Sequence, residues 1–511
     1  MFRDLPRTGK DTTLCEFDTI VSQDNGDRVK LRRSPARSAR FAGRLDIGDI
    51  DREILAALER LDAAQVREFR TAVDEASDRL GLDYVRDSGE RILIPVNPTP
   101  ALPTRRQITY LGSVLRAFTF GVARLVSRRL DDPKLAAALP LGADELAWLR
   151  IGRDAPGNPP THVFHRWDCA TDLSHDSAAM HAKFFEVNSV DVGGIHYAAA
   201  TRQVLLDAFQ KIGVRGLSID RAAAGSDPRL VLLDEVKAHA KTIGRPLKFL
   251  AIAENQDFTT GITEAASIAT FFCDRGLNTE CVDVRAFQVH RRKGVCVRGR
   301  PVDVIYRNIE LRDLVELESA GADLAGMKAA AAAGQLFSSP FGELDHKSLW
   351  EVLGSSEFNG QLTPLEKKMV ARHIPWTRLL CERRTDGPNG KSVDLTSYVR
   401  RQRSWLVMKP NQSCGGQGVT IGPVTSQRAW EKTLDDALAA PNTWVAQELI
   451  SIPRRRTVVP GPGGRFRAKE VYAVYGLFCS PFGVAFVGRA SSRPVVNVMQ
   501  GGGMLGILGR E

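Results

Sequence analysis

The 511-residue sequence predicts a mixed α/β (α+β) fold, and three stretches carry that prediction. Apolar residues recur every three or four positions through most of residues 46–150, which is typical of amphipathic helices. Short apolar strands alternate with a helix over residues 247–308, which is typical of an open parallel sheet. Beyond residue 405 the chain alternates between strand patterns and glycine-rich turns. The length allows two or three domains.

Composition narrows the class of protein. Hydrophobic residues make up 43% of the chain. No run approaches the roughly 20 apolar residues of a membrane helix, and the N-terminus lacks the apolar core of a signal peptide. Eight cysteines are scattered without metal-ligand spacing, so a cytoplasmic protein with reduced thiols is expected. The formal charge is +10. Because the arginines are spread along the chain, we expect no specific nucleic-acid partner and no membrane partner.

The segments follow one another in a definite order. Residues 1–45 are polar and arginine-rich, which predicts a surface segment or partial disorder. Residues 46–150 form a helical N-terminal layer that contains a proline-rich extended connection. Residues 151–245 hold strands with polar faces, and residues 246–330 hold the α/β pattern. Residues 331–511 contain the glycine-rich strands, and we expect them to bind a nucleotide.

Two predicted strands within residues 161–194 place polar side chains on a shared face. Alternation puts Arg166 and Asp168 on one face of HVFHRWDC, and Glu186 and Asn188 on one face of KFFEVNSV, with Phe185 packing behind. Carboxylate and carboxamide oxygens form a hard ligand set suited to magnesium, and the arginine would meet negative charge beside the metal. Two half-buried strands with solvated polar faces remain the alternative, because E-x-N alone is a weak motif.

Further candidates follow these strands. Asp191 is expected near the site, without an assigned role. The glycines after it precede a helix, whose N-terminus could face an anion, although a simple turn is equally compatible. Loops at the carboxyl ends of parallel strands usually face the ligand, which makes Glu254 and Arg307 candidate substrate contacts. Arg307 could pair with a substrate carboxylate or form a structural salt bridge.

The C-terminal part carries patterns typical of phosphate binding. Residues 405–423, WLVMKPNQSCGGQGVTIGP, predict a hairpin whose tip could fold over a triphosphate, although a mobile loop is the alternative. The strand WVAQELI could present backbone groups to an adenine edge. Arg489 emerges from a later strand toward phosphates. The candidate nucleotide contacts are Lys347, Lys409, Gly415, Gly416, Gly418, Gln447, Glu448 and Leu449.

The lysine strand, glycine-rich hairpin, Q-E-L-I strand and arginine strand together resemble the ATP-grasp fold. In the usual chain order an Asp and an E-x-N pair would follow the glycines. Here R-x-D and E-x-N lie more than two hundred residues upstream of the glycines. This order is similar to that of the circularly permuted ATP-grasp proteins, which include the synthetase part of glutathionylspermidine synthase. The α/β stretch at residues 247–308 is similar to a pre-ATP-grasp domain.

The resemblance implies ATP and magnesium as cofactors. By position, Asp168, Glu186 and Asn188 would be the magnesium ligands. Arg166 would stabilise phosphoryl transfer, and Arg489 would face the triphosphate or an acyl phosphate. The two lysines and the hairpin glycines would hold the ATP phosphates, and residues 447–450 would bracket the adenine.

The resemblance also implies an activity. ATP-grasp ligases phosphorylate a carboxylate and let an amine displace the phosphate, which predicts an ATP-dependent carboxylate–amine ligase. Such an enzyme forms an amide or peptide-like bond through an acyl phosphate and releases ADP and phosphate. Its partners would be a small-molecule or peptide carboxylate and an amine acceptor. The alternative is a catalytically inactive nucleotide-binding or partner protein that has kept the fold.

Overall fold

A computed structural model describes residues 47–126, 128–153, 163–175, 177–219, 224–262, 264–413 and 417–510. The predicted polar segment 1–45 lies outside these residues. Within them, no helix is long and apolar enough to cross a membrane. The α-helices are Ile47–Arg60 (α1), Ala63–Arg79 (α2), Arg105–Val126 (α3), Pro133–Ala138 (α4), Ala143–Arg153 (α5), Ile195–Lys211 (α6), Pro228–Thr242 (α7), Glu264–Cys273 (α8), Leu311–Ser319 (α9), Ala325–Ala332 (α10), Leu349–Gly354 (α11), Pro364–His373 (α12), Leu395–Arg401 (α13) and Gln427–Ala439 (α14).

The strands divide into several sheets. They are Asp83–Val85 (β1), Arg91–Leu93 (β2), Val96–Ala101 (β3), Arg166–Ala170 (β4), Lys183–Asn188 (β5), Leu217–Ser218 (β6), Leu250–Glu254 (β7), Gly261–Ile262 (β8), Thr279–Asp283 (β9), Phe287–His290 (β10), Gly294–Val297 (β11), Arg300–Pro301 (β12), Val304–Arg307 (β13), Leu336–Phe337 (β14), Thr377–Leu379 (β15), Arg384–Asp386 (β16), Ser392–Asp394 (β17), Leu406–Pro410 (β18), Thr420–Ile421 (β19), Trp444–Glu448 (β20), Arg454–Pro460 (β21), Phe466–Ser480 (β22), Gly483–Ser491 (β23), Gly503–Ile507 (β24) and Gly509–Arg510 (β25).

The largest sheet joins strands that are distant in sequence. Its order is β3-β24-β23-β22-β4-β5, and β21 pairs with the first half of β22. The hairpin β4–β5 is antiparallel to the second half of β22, where Asp168 lies opposite Gly476. The early polar strands and the late strands therefore belong to one sheet. The proline-rich stretch predicted as a connection supplies β3, which pairs parallel with β24.

The core behind β4 and β5 is aromatic. Trp167 and Phe184 are fully buried, and both rings contact Phe118 of α3. Trp350 of α11 also packs on Trp167, with ring centroids 5.6 Å apart. Large aromatic side chains contribute most of the apolar burial at such a position. This packing fixes which face of the hairpin looks outward.

The predicted parallel sheet is present, with the order β14-β13-β7-β9. β13 and β9 both pair parallel with β7, and helices α7 and α8 flank the sheet. β7 and β13 are buried almost throughout, as expected of strands covered on both faces.

A smaller antiparallel sheet holds the predicted nucleotide strands, in the order β15-β20-β18-β19. α13 and α14 cover one of its faces, and Trp430 of α14 is fully buried there. The indole N–H of Trp430 donates to the carbonyl of Val399 in α13, which satisfies its buried polar atom. Lys409 stands in β18 and Gln447 stands opposite Val407 in β20.

Candidate functional site

Four polar residues predicted to share a face lie opposite one another in the β4–β5 hairpin. Arg166 pairs with Asn188 and Asp168 pairs with Glu186 in the antiparallel register. Residues directly opposite in an antiparallel pair point to the same side of the sheet. We call these four residues the polar wall. The sequence prediction that they share a face is confirmed.

Phe185 corrects one sequence expectation. The register shifts between Asp168 and Cys169, so that Cys169 lies opposite Phe184 rather than Phe185. This irregularity places Phe184 in the core and turns Phe185 toward the side of the polar wall, where the Lys409 Nζ lies 5.3 Å from its ring centroid. The expectation that Phe185 packs behind the wall was wrong because strict alternation ignores a bulge.

Arg166, Asp168 and Arg489 form a compact ion-pair network. The Arg166 guanidinium donates from Nε and Nη2 to the two Asp168 oxygens at 2.8 and 3.0 Å, and from Nη1 to the Gly193 carbonyl at 2.6 Å. Arg489 on β23 donates to Asp168 Oδ2 at 2.7 Å. Burial alone would raise the pKa of Asp168, but the two guanidiniums more than offset it and hold that pKa below its ordinary value. Asp168 is therefore an anion.

Lys347 links the polar wall to the glycine-rich hairpin. Its Nζ lies 3.4 Å from Glu186 Oε1 and donates to the Ser413 carbonyl at 2.6 Å. Asn411 fixes the backbone below, because its carbonyl accepts from the Lys347 N–H and its Oδ1 accepts from the Ser348 N–H. Lys347 is therefore positioned by contacts both with β5 and with the segment that follows β18.

Lys409 lies on the opposite sheet and faces the same space. Its Nζ donates to Gln447 Oε1 at 2.8 Å, and the Gln447 amide nitrogen in turn donates to Thr377. Burial lowers the pKa of Lys409 to about 8; Glu186 counteracts this shift and the charge of Lys347 adds to it. This ammonium has less solvation than an exposed lysine and more to gain from an incoming anion.

These groups line one cavity of about 600 Å³. The carboxylates of the polar wall and Lys409, which the resemblance assigned to one magnesium–ATP site, therefore line the same cleft. The apolar side chains of Val407, Val419 and Ile421 line the same space. The predicted site residues in the lining are Arg166, Asp168, Glu186, Asn188, Lys347, Lys409, Gln447, Glu448, Leu449, Ile450 and Arg489.

The glycines of the hairpin are described only in part. Gly415 and Gly416 lie outside the described residues. Gly418 has a φ of +70°, and an added Cβ would come within 2.8 Å of Pro410. Gly418 is not among the cavity-lining residues. Its left-handed backbone closes the turn that leads into β19.

Arg307 and Glu254 lie away from the cavity lining. The Arg307 side chain is 0% exposed, and its Nη1 lies 2.7 Å from Glu343. It also donates to the carbonyls of Ser338 and Ile309. Of the two roles that the sequence left open for Arg307, the structure favours the salt bridge. Glu254 ends β7, where burial raises its pKa and neighbouring Asp191 raises it further.

The N-terminus of α6 already has an anion of its own. Glu264 is buried, and its carboxylate accepts from the Gly194 N–H at 2.7 Å and the His196 N–H at 3.1 Å. The sequence left open whether these amides face an anion or only form a turn. Because Glu264 occupies them, they are not free for a ligand. Glu264 instead fixes the turn whose Gly193 carbonyl holds Arg166.

Gly476 is a site determinant that the sequence reasoning missed. It lies on β22 between Asp168 and Val487. A Cβ added there would come within 2.6 Å of Arg166 Cδ and 2.8 Å of Asp168 Oδ1. The Arg166 side chain therefore passes over β22 at Gly476, the residue of that strand that has no side chain. An isolated glycine inside an alternating strand pattern was the available signal.

The polar wall fits a hard divalent cation together with phosphate. Among the described residues, no group of three His, Cys, Asp or Glu side chains could hold a metal ion alone. A cation here would depend on Asp168, Glu186 and Asn188, and on oxygens from outside the chain. The Asn188 Nδ2 has no partner among the described residues, and none of them donates to its Oδ1, so the carboxamide oxygen is available to a cation. Magnesium, which keeps waters and takes phosphate oxygens, suits such a partial ligand set.

The architecture is similar to that of a protein described as a glutathione synthetase-like effector. A solved structure of that effector from Globodera pallida, in its apo form, matches with a TM-score of 0.60 and 10% sequence identity. The match covers 88% of this chain and 98% of that chain. At this identity the likeness establishes the fold alone, which is mixed α/β.

Sequence comparison gives a relative without an assigned function. An uncharacterized protein of Mycobacterium leprae (strain TN) is 24% identical over 534 aligned positions, which cover 94% of this chain and 87% of that protein. No family model matches the chain.

Proposed function

We propose that this chain is an ATP-dependent carboxylate–amine ligase of the ATP-grasp type, with a circularly permuted chain order. The observation that carries the proposal is the single cavity in which Lys409 of β18 faces the polar wall of β4–β5 and its neighbour in the same sheet, Arg489 of β23. The cavity lining brings together four cations and four carboxylates, namely Lys347, Lys409, Arg166 and Arg489, and Asp168, Glu186, Asp191 and Glu448. Four cations in one cavity suit a polyphosphate, and carboxylates beside them suit the metal that a polyphosphate carries.

The nucleotide would lie between the small sheet and the polar wall. Val407, Val419 and Ile421 supply an apolar surface for a base, and residues 447–450 border the same side of the cavity. Lys347 and Lys409 then reach the phosphates from two directions. The apolar surface would thus contact the base of the nucleotide, and the two lysines would contact its phosphates.

The remaining space would hold the acid beside the terminal phosphate. A substrate carboxylate oxygen attacks the γ-phosphorus, the bond to the β-phosphate oxygen breaks, and ADP leaves. The amine nitrogen then attacks the acyl carbon, the carbon–oxygen bond to phosphate breaks, and phosphate leaves. Arg166 and Arg489 would balance the charge of the transferred group, since phosphoryl transfer requires positioning and charge neutralisation above all.

Magnesium would be held by Asp168, Glu186 and Asn188 and would neutralise phosphate charge when bound. To bind magnesium, Asp168 would have to give up part of its contact with Arg166 or Arg489, because both of its oxygens already accept hydrogen bonds from these guanidiniums. Glu186 needs less rearrangement, since its side chain is 26% exposed and its nearest cation, on Lys347, is 3.4 Å away.

The engagement of Asp168 also favours a second candidate function. A network in which two arginines occupy this carboxylate could bind ATP without activating a substrate. The chain would then be a nucleotide-binding partner protein that has kept the fold. Such a protein would release no ADP in response to an acid and an amine.

The test is ADP and phosphate release from ATP with magnesium, measured against amino acids, short peptides, glutathione and polyamines. A ligase should release ADP only when an acid is present, and should form product when an amine is added. Asn188→Ala should lower turnover at least roughly tenfold, while Asn389→Ala, in the exposed turn between β16 and β17, should not. An Asn188→Ala protein with normal turnover would contradict the assigned site, and ATP binding without turnover in the wild type would favour the second candidate.

A further inference from the structure

Asp191 is a cavity carboxylate that the proposed reaction has not yet used. Its side chain lines the cavity and is exposed within it. Among the described residues it makes no hydrogen bond and no salt bridge. The charged groups of the polar wall are all engaged, since Asp168 pairs with Arg166 and Arg489, and Glu186 pairs with Lys347. Asp191 is therefore a charge that the fold leaves available to a ligand.

The ordinary role for an aspartate at this position is already filled. Asp191 precedes α6 by a few residues, where an aspartate commonly caps the helix. The cap of α6 is supplied instead by Glu264, whose two carboxylate oxygens accept from the first backbone amides. The N-cap residue itself, Gly194, has no side chain to contribute. Helix capping therefore does not explain Asp191.

The backbone holds Asp191 in an uncommon conformation. Its φ is 47°, in the left-handed region that costs a non-glycine residue on the order of 1 kcal/mol. Two residues later the Gly193 carbonyl accepts from Arg166, and the next residue is held by Glu264. Both of these contacts anchor the loop. The side chain of Asp191 is thereby kept beside the polar wall.

More negative than positive groups interact with Asp191. One cation, Arg166 of β4, acts on it. The carboxylates of Asp313 in α9, Glu254 in β7 and Glu310, next to α9, also interact with it, as does the buried phenol of Tyr306. Although Asp191 is open to the cavity, the surrounding protein shields its carboxylate from bulk water, and this desolvation together with the charge of Asp313 raises its pKa to about 6 against the opposing effect of Arg166. A positively charged group entering here would relieve repulsion among the carboxylates.

We propose that Asp191 is a catalytic residue that binds the acceptor amine as its ammonium ion and accepts the proton that the nitrogen must lose. This assignment rests on the proposed ligase function. The ammonium transfers one proton to the Asp191 carboxylate and becomes the neutral nucleophile. The nitrogen–carbon bond forms as the carbon–oxygen bond to phosphate breaks, and the second proton leaves with phosphate. Arg166, on the neighbouring strand, faces the phosphate that departs.

The test compares two nucleophiles in wild type, Asp191→Asn and Asp313→Asn. Hydroxylamine is largely uncharged at neutral pH, so it needs neither an ammonium site nor a base. Asn tolerates the left-handed backbone at least as well as Asp, so the variant should fold. Asp313→Asn alters the surrounding charge without removing the cavity contact. Each protein is assayed for hydroxamate formation with the acid panel above and for amide formation with amino acids and polyamines as acceptors.

We expect Asp191→Asn to keep hydroxamate formation within about twofold while kcat/KM for the amine falls roughly 100-fold. Asp313→Asn should change amine kcat/KM less than about threefold. An Asp191→Asn protein that forms amide normally would overturn the role of Asp191 and leave the ligase function standing. Equal losses with hydroxylamine and amine would also overturn it, since they would indicate a structural defect. A wild-type chain inactive with both nucleophiles would overturn the ligase function and the role of Asp191 together.

Discussion

Arg166 and Arg307 occupy comparable places in two different sheets. Both are buried arginines at one end of a strand, and both were candidates for contact with an anionic ligand. Arg307 is fully enclosed by Glu343 and by two backbone carbonyls. Arg166 is 11% exposed and shares Asp168 with a second guanidinium, on Arg489. Only Arg166 reaches the cavity.

The difference lies in the balance of charge around each guanidinium. Around Arg307 one carboxylate matches one guanidinium, and the remaining contacts are neutral carbonyls. Around Asp168 two guanidiniums share one carboxylate, so positive charge is left over and faces open space. An excess of buried charge beside a cavity is a stronger sign of a ligand than a buried arginine alone. A charge-balanced pair such as Arg307 with Glu343 instead stabilises the fold.

The largest expected effect separates stability from activity at Arg307. Arg307→Gln leaves Glu343 without its cation, and breaking a buried pair in this way typically costs about 3 kcal/mol or more. We therefore expect a clear fall in the midpoint of urea unfolding. The folded fraction should keep its ADP release per folded molecule, because Arg307 does not line the cavity.

Arg312→Gln is the matched control, because Arg312 is 39% exposed where it pairs with Glu310. Its loss should change the free energy of unfolding by less than about 1 kcal/mol. If Arg307→Gln kept full stability and lost activity, Arg307 would belong with Arg166, and the distinction between the two arginines would fail.

A smaller effect is expected at Gly476, where the polar wall itself can be displaced. Gly476→Ala introduces a Cβ that the Arg166 and Asp168 side chains cannot accommodate in their present positions. A shift of about 1 Å in such groups can lower turnover up to roughly 100-fold. We expect a reduction of that order in ADP release, with KM for ATP changed less than kcat.

Gly354→Ala is the control for Gly476→Ala. Gly354 ends α11, and an added Cβ there would meet nothing within 4 Å. The substitution should be neutral or slightly stabilising, since alanine favours helix. Normal turnover of Gly476→Ala would show that the Arg166 guanidinium does not need the space above β22.

Much of the fold and of the site could be predicted because it depends on local periodicity. The strands around Asp168, Glu186 and Lys409 lie where alternation placed them, and the parallel sheet lies where the apolar strands indicated. The features that were missed depend on partners distant in sequence. Arg307 is paired by Glu343, and Glu264 is the cap of α6, 70 residues from Gly194. The bulge that redirects Phe185 has no signature in single-strand alternation.

The smallest expected effect concerns Lys409. Its ammonium group lines the cavity, whereas the Arg307 guanidinium is enclosed with Glu343. Because burial lowers the pKa of Lys409 to about 8, the free protein loses this positive charge as the pH rises through that value. Bound ATP would raise the pKa again, so the affinity for ATP should fall with rising pH between the two values, by at most tenfold per pH unit. Titration of ATP without added magnesium from pH 7.5 to 9.5, by calorimetry, would measure this. Lys409→Arg, which stays protonated, should bind with little pH dependence over the same range. A wild-type affinity as flat as that of Lys409→Arg would place Lys409 outside the phosphate contacts.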